Sequence, residues 1–128
     1  MIFENDKQLK DAMKFWQKEL RLQDWDITVE FVRLFDMGRE AHGHCHYVRP
    51  LKEAHIRIIE PKDVDGTLLI PFDAEQTLVH ELLHIPICMF DDSENGSDKD
   101  ILMEQFVNSM AKTLVKIKRG NFDDFRMS

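Results

Sequence analysis

The residues best suited to do chemistry are His80-Glu81-Leu82-Leu83-His84. Two histidines four apart on a helix project from one face, one turn from each other. Their imidazoles can then reach a single metal at the roughly 2.0–2.1 Å that zinc takes from nitrogen. Glu81 follows the first histidine directly and so points one step aside, where a carboxylate can take a proton from a metal-held water. A catalytic zinc takes three protein ligands and keeps one position open. No histidine follows His84, so the third ligand is of another type or comes from upstream. Glu104 is the best candidate. It sits on the last predicted helix at the edge of an apolar stripe, and a helix–loop–helix of this length can fold back to face His80 and His84. Asp100 is a rival, but helix capping already explains it. The expected cofactor is one zinc ion, the metal that best suits a histidine-rich site.

A second cluster, His42-Gly43-His44-Cys45-His46, lies upstream. On a strand, alternate residues share a face, which groups His42, His44 and His46. Three readings stand side by side. The face is polar without chemistry; or it lines the cleft, where His44, His46 or Tyr47 stabilises the oxyanion formed when water attacks a peptide carbonyl; or it binds metal directly. Cys45 points the other way and, like Cys88, is expected in the core, with His55 on a strand surface. Two cysteines are too few for a disulfide framework.

The elements that must position these groups can be read from periodicity and caps. Asn5, with Gln8 three residues on, caps a helix predicted over Asp6 to Leu22, where Leu9, Met13, Trp16 and Leu20 form one stripe. Ile27, Val29 and Phe31 then alternate with polar residues as a strand does. Met37-Gly38 breaks that strand. A second is predicted from Arg39 to Val48, ended by Pro50, and a third from Ala54 to Ile59. Pro61 and Asp65-Gly66 mark a loop. Asp73 and Gln76 cap the motif helix, which is expected to run to about Ile85 before Pro86 kinks or stops it. Leu78, Leu82 and Ile85 form its core stripe, with Val79 and Leu83 at the margins. The opposite stripe of Thr77, His80, Glu81 and His84 therefore faces a cleft, not open water. After an acidic loop from Asp91 to Asp98, Ser97 and Asp100 cap a last helix with a predicted buried stripe of Met103, Phe106, Met110, Leu114 and Ile117. Gly120-Asn121 ends it, and the tail from Phe122 is expected to be loosely held. One helix, three strands and two helices make an α+β domain, helices packed on one face of a small sheet, spanning residues 1–128 as a single unit.

The composition, 43% apolar and 32% charged, is that of an ordinary globular chain. A net charge of −7 weighs against a nucleic-acid partner. The one basic run, Lys116-Ile117-Lys118-Arg119, reads as cations at a helix C-terminus. No apolar run approaches the roughly 20 residues of a membrane helix, and no signal-length segment opens the chain. These features point to a cytoplasmic protein without a membrane partner.

His80-Glu81-x-x-His84 followed by a Glu-bearing helix resembles the gluzincin arrangement. More narrowly, Glu104-Gln105-Phe106-Val107-Asn108-Ser109-Met110-Ala111 resembles the Glu…Asn…Ala helix of ImmA/IrrE-type small metallopeptidases. Trp25-Asp26-Ile27, the later strand and the motif helix are similar to the layout of minimal zincins, including phage-encoded ones. The resemblance covers about residues 54 to 115. It implies a zincin-like fold and a zinc metallopeptidase in which Glu104 is the third ligand and Glu81 the general base. It also implies a peptide or protein substrate paired along the strand before the motif helix, here Ala54 to Ile59. Two rivals remain open: a non-catalytic zincin-like domain that binds a partner protein, and a metal-dependent nuclease or other hydrolase.

Overall fold

In a computed structural model, residues 5–37, 41–64, 72–88, 90 and 94–120 are described. In chain order they form helix α1 (Asp6–Glu19), strand β1 (Asp26–Val32), short helix α2 (Leu34–Met37), strand β2 (Gly43–Val48), strand β3 (Glu53–Ile59), helix α3 (Ala74–Ile87) and helix α4 (Asp98–Lys118). The class is α+β, with a three-stranded mixed sheet and four helices among the described residues. Gly38, Arg39, Asp65-Gly66, Asp91, Asn121 and the tail from Phe122 lie outside the described residues.

Local caps set the helix starts. Asn5, Asp73 and Ser97 each accept a hydrogen bond from the backbone N–H three residues on, that of Gln8, Gln76 and Asp100 respectively. α1 ends at Glu19, earlier than its pattern suggested, because Leu20 closes the helix and Arg21 takes a left-handed φ of 60°. α3 runs slightly further than expected and contains Pro86. Pro86 sits in the last turn, where the Cys88 N–H still closes on the His84 carbonyl at 2.9 Å.

The strand order is β1-β3-β2, with β3 parallel to β1 and antiparallel to β2. This corrects the expectation for Ala54 to Ile59. That strand is central, bonded on both sides, and offers no free edge for a substrate. Register sorts the side chains into two faces, because cross-strand partners point the same way. Ile27, Val29 and Phe31 lie beside Ala54, Ile56 and Ile58, which lie beside Tyr47, Cys45 and Gly43. This face meets α1 and α3 in one core built on Leu9, Trp16, Ile56, Leu78 and Leu82, with Val107 and Ala111 of α4 behind α3. The other face carries Thr28 and Glu30, His55 and Arg57, and His44 and His46.

α4 packs with a different stripe from the one predicted. Val107, Ala111 and Val115 are buried, whereas Phe106, Met110 and Ile117 are 48%, 38% and 44% exposed. Met103 and Leu114 are partly buried. Small side chains let two helices approach closely, so the interface with α3 selects the valine–alanine row over the bulkier one beside it. The rotation carries Glu104 and Asn108 onto the flank that faces the motif helix.

Candidate metal centre

α3 is buried nearly all round. Leu78, Val79, Leu82, Leu83 and Ile85 are each at most 9% exposed, so the margins assigned to Val79 and Leu83 are also core. Of the others, Thr77, His80, Glu81 and His84, each half-buried, form one stripe. It forms one wall of a cleft of about 560 Å³, within the roughly 300–1,000 Å³ usual for ligand sites. β2 and the residue before it form the facing wall, contributing His42, Gly43 and Tyr47, and α4 closes one side with Asp100, Glu104 and Asn108.

His80, His84 and Glu104 converge in this cleft. His80 Nε2 lies 3.1 Å from Glu104 Oε2, and His84 Nε2 lies 3.1 Å from Glu104 Oε1. The rings of His80 and His84 are 5.3 Å apart between centroids. One donor atom from each of the three residues falls within 4.8 Å of the others. Donors held at about 2.0–2.1 Å around a tetrahedral ion stand roughly 3.3 Å apart; each histidine meets Glu104 at close to that spacing, through a different carboxylate oxygen, and the three donors together lie within 4.8 Å. The donor set itself, two nitrogens and one oxygen, is one that zinc accepts.

The strand histidines divide between the two faces. His42 lines the cleft, its ring edge-on to Phe72 at 5.2 Å. Tyr47 lines it too, sharing its face with Gly43 and Cys45. His44 borders the cleft but stands beside Arg57, with its Nδ1 3.5 Å from the guanidinium. His46 is on the outer face opposite His55, in a shallow hollow with Thr28, and is not brought to the cleft. His55 itself bonds Thr28 Oγ1 at 2.7 Å and Glu30 at 3.3 Å. Burial, reinforced by the nearby charge of Glu81 and by Cys88, pushes the Cys45 thiol up to about 12. The group of donors that converges in the cleft, His80, His84 and Glu104, does not include it. Cys88 is buried, and both cysteines are free thiols.

An ion cluster around one buried carboxylate anchors the start of α3. Glu75 is 3% exposed. It accepts hydrogen bonds from Trp16 Nε1 at 2.9 Å and Arg119 Nη2 at 3.0 Å, and from Lys118 Nζ. Arg119 also grips Asp73, the cap of α3, through two hydrogen bonds at 2.7 and 3.1 Å. The cations at the C-terminus of α4 thus tie that helix to the N-terminus of α3, which fixes the rotation of the motif face relative to Glu104. Sequence alone shows Glu75 only as a first-turn acid, because its cationic partners lie more than forty residues on. Gly43 is different: a glycine inside a strand pattern is a readable mark of close backbone approach.

Among the described residues no helix is long and apolar enough to cross a membrane. Comparison with protein-family models, with curated proteins and with solved structures finds no match.

Proposed function

We propose that the chain is a zinc-dependent hydrolase of the metallopeptidase kind, with a zincin-like site. The observation that carries the reading is the convergence of His80, His84 and Glu104, from two helices, on one point of a cleft that Glu81 also lines. Those three residues would hold one zinc ion. When bound, zinc acts as a Lewis acid and lowers the pKa of water at its open position towards 7. Glu81 would accept the proton of the attacking water and pass it to the leaving amine nitrogen. Tyr47 and His42 carry hydrogen-bond donors on the facing wall, suited to the oxyanion that forms at the carbonyl. An extended peptide would add to the outer edge of β2, which among the described residues pairs only with β3.

The rival reading, a zinc-binding domain that serves as an interaction module, draws support from apolar residues exposed along α4, Leu102 at 65% above all. Glu81 separates the two, since a purely structural zinc has no use for a base. The test is elemental analysis of the purified chain together with peptide hydrolysis by wild type and Glu81→Gln. One zinc per chain, cleavage by wild type and none by the variant would support the enzyme. Zinc without cleavage of any peptide or protein offered would favour the module. No zinc after supplementation would end both.

A further inference from the structure

Gly43 needs a physical reason to be glycine. A strand position without a side chain costs backbone entropy and leaves a gap in the packing of its face. Here the face is the one turned to α3, with Gly43 paired opposite the buried Ile58. A Cβ at position 43 would stand 2.8 Å from Thr77 Cγ2, 3.1 Å from Glu81 Oε2 and 3.2 Å from Glu81 Cγ. Carbon atoms in good contact sit about 3.5–4.0 Å apart, so something would have to move.

The strand and Thr77 are both held by hydrogen bonds. β2 is paired with β3 from Gly43 to Val48, and the His42 carbonyl just before it accepts the Ile59 N–H at 2.8 Å. Lifting the strand would break that ladder. Thr77 cannot turn its methyl aside without losing the bond from its Oγ1 to the Asp73 carbonyl, 3.1 Å long. Asp73 is in turn clamped by Arg119. Glu81 meets the methyl with atoms of a long, rotatable side chain, whose carboxylate end turns at lower cost than a paired strand shifts.

We propose that Gly43 is a positioning residue for Glu81: the bare strand backbone lies against Thr77 and the Glu81 side chain and limits the directions in which that carboxylate can point. The inference rests on the metallopeptidase reading for its consequence in catalysis, but its structural half stands independently. An alanine methyl at position 43 fills the space against which Glu81 packs and pushes the carboxylate away. No atom of His80, His84 or Glu104 is among the three nearest to the added methyl, so the zinc ligands are expected to keep their places.

The experiment compares wild type, Gly43→Ala and the double variant Gly43→Ala/Thr77→Ser. Crystal structures give the Glu81 position, elemental analysis gives zinc content, and hydrolysis of a fluorogenic peptide cleaved by wild type gives kcat and KM. Thr77→Ser removes Cγ2 but keeps the hydroxyl that bonds Asp73, so it relieves the tightest contact. Gly43→Ala is expected to hold one zinc, to displace the Glu81 carboxylate, and to lose about 10²-fold in kcat with little change in KM, the size of effect that a misplacement of about 1 Å produces. The double variant keeps the contacts with Glu81 at 3.1 and 3.2 Å, so it is expected to fold more readily than Gly43→Ala while showing the same displaced carboxylate and the same loss in kcat. If Gly43→Ala does not fold, the double variant alone is read for the Glu81 position. A Glu81 carboxylate in its wild-type place, with kcat unchanged, overturns the proposal. A displaced carboxylate in a chain whose wild type cleaves nothing upholds the positioning role and defeats the enzyme reading instead.

Discussion

Glu104 Oε2 stands 3.1 Å from His80 Nε2, although the two residues are 24 positions apart and belong to different helices. The Glu104 carboxylate is half exposed to water and reaches over to the neighbouring helix. Its second oxygen reaches His84 at the same distance. Metal content should therefore depend on Glu104 as much as on the histidines. Wild type is expected to bind about one zinc. His80→Ala and Glu104→Ala are expected to lose it, by elemental analysis after dialysis against a weak chelator. Free zinc at about 100 times its Kd should raise wild-type stability by about 2.7 kcal/mol, read by thermal unfolding, and leave Glu104→Ala unmoved. A Glu104→Ala variant that keeps its zinc would move the third ligand elsewhere in the cleft.

Glu81 should separate metal binding from turnover. In Glu81→Gln the side chain keeps its size and loses its ability to accept a proton. Zinc content is expected to stay at the wild-type level while kcat for peptide hydrolysis falls by about 10²–10⁴-fold, the usual contribution of a general base. Full activity in Glu81→Gln would assign the base to another group lining the cleft.

Much of this arrangement is legible in the sequence because it is written locally. Asn5, Asp73 and Ser97 announce their helices because a cap involves residues only three apart. The two histidines and Glu81 define their relative directions by helical period alone. Order within the sheet is another matter. Alternation along Ala54 to Ile59 is the same whether the strand is central or at an edge, and only pairing with both β1 and β2 shows which. α4 departs from its predicted stripe for a related reason. Its apolar arc is wide enough to offer two stripes, and hydropathy favours the one with Phe106 and Ile117. Close approach to α3 favours the one with Ala111. The strand histidines look equivalent because period two makes them so, yet His42 precedes the first ladder residue and reaches the cleft while His46 does not.

The stripe of α4 that is buried should be the stripe that matters. Ala111 is 0% exposed against α3. Ala111→Leu forces extra methylenes into that contact and is expected to cost about 1–3 kcal/mol. It should weaken zinc binding as well, since it moves Glu104 away from His80 and His84. Phe106→Ser, on the half-exposed stripe, is expected to cost about 1 kcal/mol or less and to leave zinc binding intact. Chemical denaturation and zinc titration of both variants measure this directly. The opposite ranking would mean that Phe106 faces the core.

The ion cluster at the start of α3 should make the fold acid-sensitive independently of the histidines and the metal. Burial alone would raise the Glu75 carboxyl, but hydrogen bonds from Lys118 and Trp16 and the charge of Lys118 hold it below its ordinary 4.5. Asp73 behaves in the same way: burial raises it, and the Arg119 guanidinium and the Gln76 N–H bring it below 3.8. Both groups therefore bind their protons more weakly folded than unfolded. The stability they contribute is complete above the unfolded values and drains away as pH falls through the folded ones. In zinc-free protein the unfolding temperature is expected to fall steeply below about pH 4. Glu75→Gln keeps an acceptor for Trp16 but removes the charge. Lys118 and Arg119 are about a third exposed and can turn to water, so the loss at pH 7 should be about 1–3 kcal/mol, short of the ~3–5 kcal/mol of a fully buried pair. The variant's acid limb should be correspondingly shallower, and curves that run parallel from pH 7 to 3 would remove Glu75 from the acid response.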